Sequence, residues 1–263
     1  ISHGADYRFA MVEDLTRRGE RAQRFEMRHG DCGRNSGWDD CSNDRQRVER
    51  KENPKNVFSR PGEAVWYGYS VYIPGDFVSL GRATTTIGQA KVEQELFPLW
   101  LTALSDNPYI LFSGGHSCSL PKLSTWRGQW NDITVYANYA ETGQEVYFQF
   151  YRNGALLCEH RKPLIPESRR GQEQKIGFKY GIYNSWVSRY LAANATKPLP
   201  AQRFSQRATT GTVSRSASAT PFEHDWGGRL PTYVIHYDEM LSGPRREDVD
   251  VRMREAAGFP PID

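Results

Sequence analysis

The strongest constraint on this chain is a series of short strand-forming segments separated by turn residues. In Gln23 to Arg28, strict alternation puts Gln23, Phe25 and Met27 on one face and Arg24, Glu26 and Arg28 on the other. Ala64 to Ile73 reads AVWYGYSVYI, a strand buried on both faces and closed by Pro74-Gly75-Asp76. Asp132 to Tyr139 and Glu145 to Tyr151 flank Thr142-Gly143 as a hairpin, and Arg152-Asn153-Gly154 makes a second tight turn before Ala155 to Cys158. Lys175 to Tyr183 and Thr232 to Tyr237 complete the set. Aromatic residues are abundant (14 Tyr, 12 Phe, 7 Trp), which suits pleated, half-buried surfaces. The expected fold is therefore all-β, a sandwich or barrel of antiparallel strands. One helix is expected near the end, Asp248 to Ala257, with Gly258 as its stop.

Residues 1–263 read as a single domain with a long loop insertion at about 184–230, rich in Ser, Thr, Ala and Arg and without clear periodicity. The net charge is +3, from 34 basic and 31 acidic residues, too mild to argue for nucleic acid. No apolar run approaches the roughly 18 residues of a membrane span. The opening Ile1-Ser2-His3-Gly4 lacks the charged and apolar regions of a signal peptide, which is read as removed or never present. Cys32 and Cys41 bracket a polar, Gly-containing loop that suits a local disulfide, and Cys118 and Cys158 would then pair over a longer range. Four cysteines allow three connectivities, and spacing does not choose among them or exclude four buried thiols. Bridges would place the protein in an oxidising compartment, secreted or periplasmic.

Three segments carry candidate chemistry. In Phe178-Lys179-Tyr180-Gly181-Ile182-Tyr183, alternation puts Lys179, Gly181 and Tyr183 on one face, a cation and a phenol with a bare glycine between them that leaves room for a sugar chain. Gln89, Lys91 and Glu93 share a second face, and Arg47 and Glu49 a third, where an arginine would grip a carboxylate with its bidentate fork. This set holds cations, an amide and a phenol. No G-x-S-x-G elbow, P-loop or H-E-x-x-H zinc pattern accompanies it.

In this order the segments resemble the jelly-roll polysaccharide lyases, the group of heparin lyase I-like and glucuronan lyase-like enzymes. The resembling pieces are Arg18 to Glu26, Arg47-Val48-Glu49, Glu63 to Phe77, Gly88-Gln89, Asn153-Gly154, Lys179 to Tyr183 and Tyr237-Asp238-Glu239. The resemblance implies a β-jelly roll of two antiparallel sheets with a concave cleft, and β-elimination on an anionic polysaccharide of glucuronan or alginate type. That reaction needs the uronate carboxylate neutralised, a base for the C5 proton and an acid for the departing 4-O oxygen. The implied catalytic set is Tyr183 as base and acid, Gln89 and Arg47 as neutralisers, and Lys179 near the reacting sugar. Lys91, Glu49, Tyr147, Gln149, His236 and Arg189 are the candidates for substrate binding.

Many relatives place a histidine in the cleft; here Ala90-Lys91 follows Gln89, and His116, His160 and His236 are the substitutes. No cofactor is required, and Asp238 and Glu239 are the candidate ligands of a structural calcium. A monomer is expected. Two other readings use the same strands: a lectin-like jelly roll that binds carbohydrate without cleaving it, and a sandwich hydrolase using a carboxylate pair such as Glu93 with Glu49.

Overall fold

The computed structural model describes residues 6–35, 37–51, 59–93, 98–200 and 224–263. Among these residues the strands, numbered in chain order, form two large antiparallel sheets. The first runs β1 (Phe9–Val12), β2 (Ala22–Met27), β15 (Tyr233–Gly243), β6 (Ala64–Ile73), β11 (Gln129–Asn138), β12 (Phe148–Arg152) and β13 (Ala155–His160). The second runs β10 (Ser117–Ser119), β9 (Tyr109–Phe112), β8 (Trp100–Leu104), β7 (Thr84–Val92), β14 (Ile176–Ser185) and β5 (Arg45–Lys51). A short hairpin of β3 (Arg34–Asn35) and β4 (Trp38–Asp39) precedes β5. Neighbours in both sheets are often far apart in sequence, as when β15 inserts between β2 and β6. Two such sheets packed face to face are a jelly roll.

Alternation explains the packing. On β6, Tyr67, Tyr69, Val71 and Ile73 are buried in the core, where they meet Phe178, Tyr180 and Ile182 of β14 and Trp100 of β8. Aromatic rings fill the space between the sheets: Tyr67 stacks on Phe178 at 4.8 Å, and Phe25 meets Tyr237 edge-on at 5.2 Å. Tyr237 also crosses from one sheet to the other, its hydroxyl 2.7 Å from the Gly181 carbonyl and 2.8 Å from that of Ile87.

Both disulfides are present, Cys32–Cys41 and Cys118–Cys158. The second ties β10 of the smaller sheet to β13 of the larger. The turn at Arg152-Asn153-Gly154 has positive φ at both Asn153 and Gly154, the primed geometry that matches strand twist.

The helix expected at 248–257 is two short pieces, α2 (Arg246–Val249) and α3 (Val251–Ala256). Asp250 breaks them apart and caps the second by accepting from the backbone N–H of Arg252 and Met253. The stretch at 184–230 is not a loop throughout. It begins with the end of β14 and continues as a helix, α1 (Val187–Asn194), while 201–223 lies outside the described residues.

Candidate active site

The outer face of the smaller sheet gathers most of the chemistry. Three adjacent strands, β7, β14 and β5, place their side chains in transverse rows. Tyr183 stands between Thr86 and Arg47, and Lys179 between Gln89 and Lys51. Glu49 lies opposite Gly181, between those rows.

Contacts within the rows are dense. The Gln89 amide Nε2 donates to Glu49 Oε1 at 2.5 Å, crossing β14 between Lys179 and Tyr183. An amide nitrogen carries two N–H groups, so one remains for a ligand. Arg47 lies 4.4 Å from the centre of the Tyr183 ring. Its guanidinium donates in a fork to both oxygens of the buried Asp40 and sits 3.6 Å from Glu49. Asp40 is itself fixed by the Trp38 indole N–H at 2.7 Å. Burial alone would lower the pKa of Arg47, but its bonds to Asp40 and the charges of Glu49 and Asp40 raise it above the ordinary value. Lys179 is shifted the other way: burial, then the charges of Arg47 and Lys51, outweigh Glu49 and lower it. Lys91 lies half-buried two residues beyond Gln89 on β7, and Glu93 pairs with Lys51 at 2.6 Å.

This geometry alters two expectations. The fork of Arg47 is occupied by Asp40, so Arg47 fixes the site rather than offering a vacant fork to a substrate carboxylate. Gly181 does not clear a path for a sugar chain. Its φ is +132°, and a Cβ there would fall 2.3 Å from the Val48 carbonyl oxygen and 3.1 Å from Phe25 Cδ1. A bulge between Tyr180 and Tyr183 turns this stretch of β14 toward β5, so the glycine serves close backbone packing.

Three expected binding residues lie elsewhere. His236 is on β15, in the other sheet, buried beside Tyr72, and its pKa is lowered to about 3 by burial and then by Arg24. Gln149 is on β12 of that same sheet, bonded to Glu159 and Tyr151. Tyr147 packs in the core just before β12. None of the three reaches the Tyr183 face. His160 stacks on Phe112 at 4.1 Å, and His116 lies by Lys162. Arg189 is on α1, against the Trp186 ring at 4.7 Å.

Asp238 and Glu239 do not fit a calcium ion. Asp238 accepts the backbone N–H groups of Arg17, Arg18 and Glu239. Glu239 accepts from Ile262 N–H and pairs with the Arg18 guanidinium. Donors and positive charge already occupy the positions a cation would take. Burial raises both carboxyls above their ordinary values.

Sequence reasoning missed Asp40, Thr86 and Arg45 at this face. Asp40 sits in the Cys32–Cys41 loop, with no periodic pattern to mark it.

The outer face of one sheet of this jelly roll thus presents a phenol, an amide and several cations together. The family model described as polysaccharide lyase matches residues 1–240, and the chain belongs to that family; it is a polysaccharide lyase. No curated protein matches the sequence. Among solved structures, it is similar to the endo-β-1,4-glucuronan lyase of the fungus Trichoderma reesei at 14% identity and a TM-score of 0.56, covering 92% of this chain and 89% of that one. It is also similar to two alginate lyases of polysaccharide lyase family 7. One is the lyase AlgAT5, at 10% identity and a TM-score of 0.50, with 90% and 94% covered. The other is a product complex of the lyase A1-II', at 11% identity and a TM-score of 0.53, with 92% and 85% covered. At such identities these likenesses show the fold.

Proposed function

We propose that the chain cleaves a uronic-acid-containing polysaccharide, of glucuronan or alginate type, by β-elimination. One observation carries the reading: the Tyr183 phenol shares an outer sheet face with Lys179 and Gln89, and Arg47 braces its ring. The lyase family and the likeness in fold to glucuronan and alginate lyases support this polymer class.

The uronate carboxylate sits against Lys179 and the second N–H of Gln89. A carboxylate there counters the effects that lower the Lys179 pKa and favours the ammonium form. As C5 loses its proton, negative charge spreads into the carboxylate, where these donors hold it more strongly than in the ground state. Tyr183, as phenolate, takes the C5 proton. The C4–O4 bond breaks, a C4–C5 double bond forms, and the phenol delivers its proton to the departing O4. Arg47, locked by Asp40, keeps the Tyr183 ring in place. The two disulfides support an extracellular or periplasmic setting. Among the described residues, no helix is long and apolar enough to cross a membrane.

The test is an ultraviolet screen over glucuronan, alginate, heparin-type and pectic polymers, because elimination leaves a conjugated double bond. Absorbance growing on glucuronan or alginate supports the reading. Reducing ends without absorbance would point to hydrolysis, and binding without cleavage to a lectin-like role.

A further inference from the structure

Two further guanidinium groups, those of Arg45 and Arg189, lie beyond the Tyr183 row. Arg45 pairs with Ser185 across β5 and β14, as Arg47 pairs with Tyr183. Alternation puts Arg45 on the same face as Arg47, about 7 Å along the strand. Unlike Arg47, it has no carboxylate partner among the described residues; its side chain donates to the carbonyls of Asn43 and Asp44 at 3.0 Å each. Arg189, exposed on α1, likewise has no carboxylate partner among the described residues.

Both guanidinium groups rest on one ring. The Trp186 ring centre lies 4.0 Å from the Arg45 guanidinium carbon and 4.7 Å from that of Arg189. Trp186 is 44% exposed and holds φ at +63°, a conformation that bulky side chains rarely adopt. The surroundings enforce it. The Trp186 N–H donates to the Asp44 carbonyl at 3.0 Å, and Asp44 is itself left-handed at φ +59°. The Asp44 carboxylate accepts both the N–H and the hydroxyl of Ser188 at 2.7 Å, pinning the first turn of α1. An exposed tryptophan in a costly backbone conformation, flanked by two cations with no ion-pair partner among the described residues, is a built feature.

We propose that Arg45, Trp186 and Arg189 form a second anion subsite, which holds the carboxylate of a uronate unit next to the one being cleaved. Trp186 holds both guanidinium groups against its ring, and they offer charge-assisted hydrogen bonds to the carboxylate. The substrate class rests on the lyase reading above; the anion site itself does not.

The test separates the two. On a Tyr183→Phe background, affinity electrophoresis measures binding of glucuronan and alginate, and of the same polymers with their carboxyl groups chemically reduced. Adding Arg45→Gln and Arg189→Gln is expected to weaken polyuronate binding about tenfold, lessen its salt dependence and leave the reduced polymers unaffected. Arg189→Gln alone, on an exposed side chain that rests against the ring, serves if the double variant does not fold, with an expected loss of about threefold. Unchanged polyuronate binding, or equal losses on both kinds of polymer, overturns the subsite even if the wild type cleaves. If the wild type cleaves no polyuronate yet the arginine variants lose binding, the lyase reading falls and the subsite stands. Failure of the parent to bind any polyuronate overturns both.

Discussion

Gly181 is the position where a single added methyl group tests the geometry of the site. An alanine Cβ there would lie 2.3 Å from Val48 O, 2.9 Å from Glu49 Cα and 3.1 Å from Phe25 Cδ1. The two nearest atoms are backbone and cannot swing aside, so β5 must move away from β14. The backbone at φ +132° adds strain for any side chain. Strain of about 1–3 kcal/mol and overpacking of about 1–3 kcal/mol sum to a loss of roughly 2–6 kcal/mol. At about 2–4 °C per kcal/mol for a domain of this size, Gly181→Ala should melt roughly 4–24 °C lower. The same displacement parts Arg47 from the Tyr183 ring and Glu49 from Gln89, so kcat should fall even at temperatures where the variant is fully folded. Calorimetry and turnover are measured beside Gly75→Ala, where a Cβ meets nothing within 4 Å. If Gly181→Ala melts and turns over like Gly75→Ala, the close approach of β5 and β14 at Gly181 is refuted.

Three further outcomes are expected. His236 is held near 3 by burial and Arg24, while the unfolded chain protonates it near 6.5; the unfolded state therefore binds the extra proton, and stability present above pH 6.5 is lost as pH falls toward 3. Urea unfolding should show a loss of about 2 kcal/mol between pH 6.5 and 5 that His236→Leu removes, and an identical pH dependence in the variant would contradict this. Replacing Cys118 and Cys158 by serine opens a loop with a sequence separation of 40, and denaturant unfolding should show a loss of about 4 kcal/mol. Tyr237→Phe withdraws the hydroxyl shared by the Gly181 and Ile87 carbonyls and should cost about 1–3 kcal/mol, read by the same melts.

Much of this architecture was legible in the residue pattern. Alternation and turn chemistry located β6, with matching bounds, and most of β2, β11, β14 and the start of β15. The same rule placed Lys179 with Tyr183, and Arg47 with Glu49. It could not say which sheet a strand would join. Gln149 and His236 alternate in the expected way yet sit in the larger sheet, on strands far from Tyr183. Alternation also assumes a regular strand, so it misread Gly181, where a bulge and a positive φ redirect the chain. Trp100–Leu104 escaped notice because WLTAL is a short apolar run without a polar face. Asp40 and Trp186 matter through partners in separate elements and through backbone angles that no local spacing announces. Asp238 and Glu239 look like metal ligands in sequence, yet the fold supplies N–H donors and an arginine to the same oxygens.

The most direct measurement of the central claim compares wild type with Tyr183→Phe on the polyuronate that the wild type cleaves best. Initial rates come from the absorbance of the unsaturated product, and affinity is measured on the same polymer. Loss of the hydroxyl alone should abolish product formation while binding stays close to that of the wild type. A variant that keeps most of its rate would show that another group takes the C5 proton, and would contradict the account.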